Sequence, residues 1–122
     1  MTDKQITADD YIDVPTGYYM CFINGCDRVE SKSGKPMVKV TLKINRACDE
    51  SNKPFEGRYM WVYQVTNTTI GQNLAAEWER IAEHFPTTPI KVSKFERQGK
   101  NGVTYVNYKP WLSNEQAAQL NA

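Results

Sequence analysis

The chain has 122 residues, 40% hydrophobic and 24% charged, enough for one domain that buries its own core without disulfide staples or a structural metal. Its polar start holds no apolar leader, and no apolar run is long enough to span a bilayer, so a cytoplasmic protein with no membrane partner is expected. The formal net charge of +1 rules out a strongly basic or acidic chain, but it is uneven: residues 1–13 are net −3 and residues 14–112 net +5.

Residues 1–13, with Asp3, Asp9, Asp10 and Asp13, read as a polar N-terminal arm, and Pro15-Thr16-Gly17 punctuates the entry to the domain. The first strand is expected from Tyr18 to Val29, with Tyr19, Cys21 and Ile23 on one face and Tyr18, Met20 and Phe22 on the other. Gly25 inside it suggests a bulge or sharp bend. Ser31-Lys32-Ser33-Gly34-Lys35-Pro36 is a basic turn, and lacks the spacing of a phosphate-binding P-loop. In the second strand Val38, Val40, Leu42 and Ile44 alternate with Met37, Lys39, Thr41 and Lys43, giving one apolar and one basic face. After a polar loop over 48–57 comes an aromatic strand, from Arg58 to about Thr66. Its Tyr59, Trp61 and Tyr63 share one face and Met60 and Val62 the other. The period then changes to three and four: Ile70, Leu74, Ala75, Trp78, Ile81, Ala82 and Phe85 form the apolar stripe of a helix that Pro86 ends. Two strands follow, Ile90 to Arg97 and Val103 to Lys109, joined by a Gln98–Gly102 hairpin tip. A polar tail, 113–122, closes the chain.

Three strands, one helix and two strands, with a glycine midway along a long first strand, fit an all-β domain with one helix over 14–112. The specific expectation is a closed five-stranded OB-fold barrel whose helix, inserted after the third strand, plugs one end. A sandwich or an open α+β sheet is the alternative.

In such a barrel the second and third strands, with the loops joining strands one to two and four to five, form the binding surface. The unusual residues of this sequence fall there. Tyr59, Trp61 and Tyr63 would stack unpaired bases, while Lys39 and Lys43, Lys32 and Lys35 of the first loop, and Lys94, Arg97 and Lys100 around the last hairpin would track phosphates. The segment 70–85 is net −2, which leaves the remaining body of the domain at +7, a skew that points to a polyanion. Other readings stay open: the aromatic strand could be buried on both sides, or covered by another strand or subunit. Trp78 and Tyr105 read as core; Tyr108 and Trp111 could be stacking rings or core.

An enzyme is not expected. His84, the only histidine, lies at a helix end, and the acidic residues are too scattered for a two-metal nuclease. Cys21, Cys26 and Cys48 are odd in number and lack zinc-site spacing, so reduced thiols are expected, with no metal and no cofactor.

Four short motifs, Pro15-x-Gly17-x-Tyr19, Ser31-Lys32-Ser33-Gly34-Lys35-Pro36-Met37, Phe55-Glu56-Gly57-Arg58 and Asn107-Tyr108-Lys109-Pro110, occur in an order and spacing that resembles a family of small bacteriophage proteins. They span about residues 14–111. These proteins look like single-stranded DNA-binding proteins of phage replication and recombination modules. The resemblance implies an OB-fold, action in the host cytoplasm, and protection of single strands or support of recombination. Many single-strand binders end in an acidic tail that recruits partners. Here residues 113–122 hold one acid, Glu115, so recruitment through a tail is not implied. The expected partner is single-stranded DNA bound with little sequence preference. RNA, a second copy of the chain, and replication or recombination proteins are further candidates. The rival reading is a phage protein-interaction module that uses the same aromatic surface.

Overall fold

The computed structural model of the chain describes residues 13–121. The expected acidic arm lies outside them except for Asp13. Five strands, β1 (Gly17–Glu30), β2 (Pro36–Ala47), β3 (Tyr59–Val65), β4 (Ile90–Gln98) and β5 (Thr104–Trp111), form one antiparallel sheet. A 3-10 helix, Glu50–Phe55, occupies the loop before β3, α1 (Thr69–His84) follows β3, and α2 (Asn114–Leu120) follows β5.

Hydrogen-bonded neighbours across the sheet run β3-β2-β1-β4-β5. The long β1 is the spine: it pairs with β2 from Tyr19 to Glu30 but with β4 only from Gly17 to Cys21. Register shifts in the β1–β2 ladder fall between Met20 and Cys21 and between Ile23 and Gly25, so the bend expected at Gly25 is present.

The expected closed barrel is corrected. The sheet is open, with β3 and β5 as its edges. Strand count and hairpin partners follow from local pattern, but closure depends on tilt and stagger summed over the whole sheet, which alternation does not encode. The two edges instead line one cleft of about 290 Å³, with Trp61–Gln64 on one wall and Val106–Tyr108 on the other.

Alternation decides the core. Val38, Val40, Leu42 and Ile44 of β2 are at most 1% exposed, and Tyr19, Cys21, Met60, Val62, Ile90 and Val92 join them on the inner face. Ala75, Trp78 and Ile81 of α1, with Phe85 just past its end, complete this core, as the helical stripe requires. The Thr68 hydroxyl accepts the Gly71 N–H at 3.0 Å and caps the helix. A Cβ at Gly71 would stand 2.1 Å from the Val65 carbonyl oxygen, so glycine lets the first turn lie directly on the end of β3. One part of the expected stripe is corrected: Ile70, 73% exposed, and Leu74 stay outside the core, because the buried stripe runs through Gly71, Ala75, Trp78 and Ile81 and leaves both on its flank.

The segment read as a polar tail folds into α2. Ser113 and Gln116 form a reciprocal capping box, Leu120 is buried, and Arg80 of α1 donates to the Leu120 carbonyl at 3.1 Å. Among the described residues no helix is long and apolar enough to cross a membrane.

Candidate functional site

Met60 and Val62 are buried, so the pleat of β3 sends Tyr59, Trp61 and Tyr63 outward, where they are 42%, 45% and 55% exposed. The row is not buried on both sides, and among the described residues nothing covers it. The Tyr59 and Trp61 rings stand 6.1 Å apart at an interplanar angle of 21°, a stacked pair with open outer surfaces.

The β2–β3 register brings Lys43 opposite Tyr59, Thr41 opposite Trp61 and Lys39 opposite Tyr63. Each ammonium lies 5.9 Å from the centroid of the tyrosine it faces. Rings and cations therefore form one surface, each cation attracted to a ring face as well as to any anion above it. The rungs continue onto β1, where Phe22 lies beside Lys43, Gly25 beside Thr41 and Asp27 beside Lys39. Gly25 and Thr41 leave the middle rung low next to the Trp61 ring. Asp27 tempers the positive field at the Lys39 end.

The β1–β2 turn carries Lys32 and Lys35, both exposed. It is closed by bonds from Gly34 N–H to the Ser31 carbonyl and from Lys35 N–H to the Ser31 hydroxyl, and by the positive φ of Gly34, +83°. It leaves the sheet three residues beyond Lys39, at the same end of the aromatic row as Tyr63. Arg97 and Lys100 are exposed at the β4–β5 hairpin, Arg97 opposite Tyr105. Tyr105, expected in the core, is exposed, because this hairpin extends beyond the packed part of the sheet.

Lys94 does not join them. Alternation in β4 turns it inward with Ile90 and Val92, and its ammonium donates to the Val14 carbonyl at 2.6 Å beside the Tyr108 ring. Burial lowers its pKa, and its ammonium is engaged at the Val14 carbonyl, apart from Arg97 and Lys100. Tyr108 packs partly on the core, and Trp78 is buried, as expected of a stripe residue.

The acidic helix lies over the inner face, opposite the aromatic row. Its Glu79 is held by Arg28 of β1 through bonds of 2.8 and 3.1 Å. In the cleft between β3 and β5, the Asn107 Nδ2 is buried without a hydrogen-bond partner among the described residues, next to Trp61 and Tyr63. His84 Nδ1 lies 3.0 Å from the Arg80 carbonyl at the end of α1, and among the described residues no three His, Cys, Asp or Glu side chains gather as a metal site would require.

Comparison with protein-family models and with curated proteins finds no match.

Sequence reasoning also missed part of the outer face. Arg46 and Met20 are cross-strand partners next to the Lys43–Phe22 rung. Tyr18 and Trp111 lie 6.2 Å apart, with Lys91 5.0 Å from the Tyr18 ring and Lys109 4.2 Å from the Trp111 ring. The alternation of Tyr18, Met20 and Phe22 in the first strand already marked this side, but its partners come from β4 and β5, distant in sequence.

Proposed function

We propose that the chain is a non-catalytic protein that binds single-stranded DNA with little sequence preference and serves phage replication or recombination. One observation carries this reading: three exposed rings in a row on β3, two of them faced by lysines of β2 across the ladder. Flat rings accept any base at ~1–3 kcal/mol per stacked base, and the ammonium groups release counterions from the phosphates they meet. The second and third strands are also where OB-folds bind their ligands, which supports the reading although this sheet is open. Stacking on ring faces tolerates any base, which supports a binder with little sequence preference. The resemblance of the four short motifs to small phage single-strand binders suggests the setting.

Trp61→Ala tests the reading. The side chain is exposed, so the variant is expected to stay folded, with a stability change within about 0.5 kcal/mol. Binding to an oligo-dT strand should weaken by roughly 1–3 kcal/mol with little change in salt dependence. A folded variant that binds as tightly as the parent would refute the stacking assignment. Competition with a matched RNA strand tests the choice of DNA, because a surface built for RNA would use the 2′-hydroxyl and prefer the RNA.

A further inference from the structure

The β1–β4–β5 half of the sheet presents a second cluster built like the first. Tyr18 and Trp111, both exposed, stand 6.2 Å apart at 55°, a tilted pair open to solvent. Lys91 lies 5.0 Å from one ring and Lys109 4.2 Å from the other. The Trp111 ring is fixed in place, because its indole N–H donates to the buried Ser93 hydroxyl at 2.8 Å. A large exposed aromatic held by a buried hydrogen bond is pre-organised for contact, since little side-chain freedom is lost when something stacks on it.

This cluster and the β3 row share one side of the sheet. The register places Arg46 of β2, Met20 of β1, Lys91 of β4 and Trp111 of β5 on a single rung. The neighbouring rung of the first site runs Tyr59, Lys43, Phe22. Phe22 and Met20, two residues apart on β1, join the rungs, and Arg46 adds a cation at the joint. Asp49 and Glu50 line a groove with Tyr18, so an anionic chain is expected to keep to Lys91 and Lys109.

We infer that Tyr18 and Trp111, with Lys91 and Lys109, form a second stacking station, so that one unpaired DNA strand is held at both ends of a track crossing the outer face from β3 to β5. This rests on the proposed single-strand reading and extends it. Measured along the outer face, the path from β3 to β5 crosses four interstrand steps, about 19 Å of sheet at ~4.8 Å each. A strand stacked at ~3.4 Å per nucleotide needs about six nucleotides to cover that path, and about four stacked nucleotides fall short of it.

The test compares oligo-dT of about four and about sixteen nucleotides, the bounds of a single-domain site, against the parent, Trp111→Ala, Lys109→Glu and Trp61→Ala. Lys109→Glu alters only an exposed side chain and keeps the test valid if Trp111→Ala fails to fold. The expected result is a loss of fivefold or more for both second-station variants on the long strand, and less than about twofold on the short one, which the β3 row holds alone; the fivefold figure corresponds to the lower bound for one stacked base. If the parent and Trp61→Ala differ as proposed while both second-station variants bind the long strand like the parent, the second station is refuted and the β3 platform stands. Equal losses at both lengths also refute two stations. If the parent binds neither strand, the single-strand reading itself fails.

Discussion

Lys39 and Lys43 offer a quantitative handle, because the register fixes both against the aromatic row while neither supports the core. The perturbation is the double change Lys39→Gln, Lys43→Gln. Each ammonium lies 5.9 Å from a tyrosine ring, an exposed cation–π contact of about 0.5–1 kcal/mol, so folding stability should fall by no more than about 2 kcal/mol. Binding should change in a different way. Each phosphate contact to a single strand adds ~0.7 to the slope of log affinity against log salt, so two lost contacts remove about 1.4. Between about 50 and about 200 mM salt, a fourfold change, the parent should then lose about sevenfold more affinity than the variant. Fluorescence anisotropy of a labelled oligo-dT across a salt series measures both slopes. Equal slopes in a folded variant would mean that these ammonium groups serve the tyrosine rings alone and touch no phosphate.

Two further predictions concern the scaffold. Gly71→Ala would push a methyl group to 2.1 Å from the Val65 carbonyl oxygen, and overpacking of this kind costs about 1–3 kcal/mol, which should exceed the ~1 kcal/mol helix-propensity gain; a urea midpoint at or above that of the parent would contradict the close helix–strand contact. Burial raises the Cys21 thiol from 9.0 to about 12 and the Tyr19 hydroxyl from 10.0 to about 12. Both folded values lie above the unfolded ones, so above pH 9 the unfolded chain releases protons that the native chain keeps, and stability, complete below pH 9, should fall as the pH rises toward 12. In Cys21→Val the decline should become shallower, with the raised Cys26 thiol and Tyr19 hydroxyl supplying what remains. Urea unfolding across this range that shows no alkaline decline, or a decline as steep in the variant as in the parent, would contradict the burial argument.

Much of this was legible in the sequence because it depends on local period. Val38, Val40, Leu42 and Ile44 could only be an inner face, which fixed Lys39 and Lys43 outward. Met60 and Val62 did the same for the aromatic row. The helix period identified Trp78 and Ile81 as core, and Gly25 marked the bend of β1. The misplacements share a cause. Lys94 looked like a loop cation, but one residue of register sends a side chain to the other face, and β4 turns it inward toward Val14. Tyr105 was read inward and Ile70 onto the core because pattern does not reveal where a packed face stops. The open edge between β3 and β5, and the meeting of Tyr18 with Trp111, depend on how strands distant in sequence are arranged, which no local window contains. The polar composition of 113–122 concealed α2, whose Ser113–Gln116 capping box was nonetheless present in the sequence.

The central claim, that rings and ammonium groups on one outer face hold an unpaired strand, is tested most directly by titrating the protein with oligo-dT at two salt concentrations while following tryptophan fluorescence. Trp78 is buried and should be spared, whereas Trp61 stands on the proposed contact surface. The account predicts saturable quenching, reduced in Trp61→Ala, with an affinity that drops steeply at the higher salt. An unchanged emission spectrum and no salt-dependent association at either concentration would contradict it.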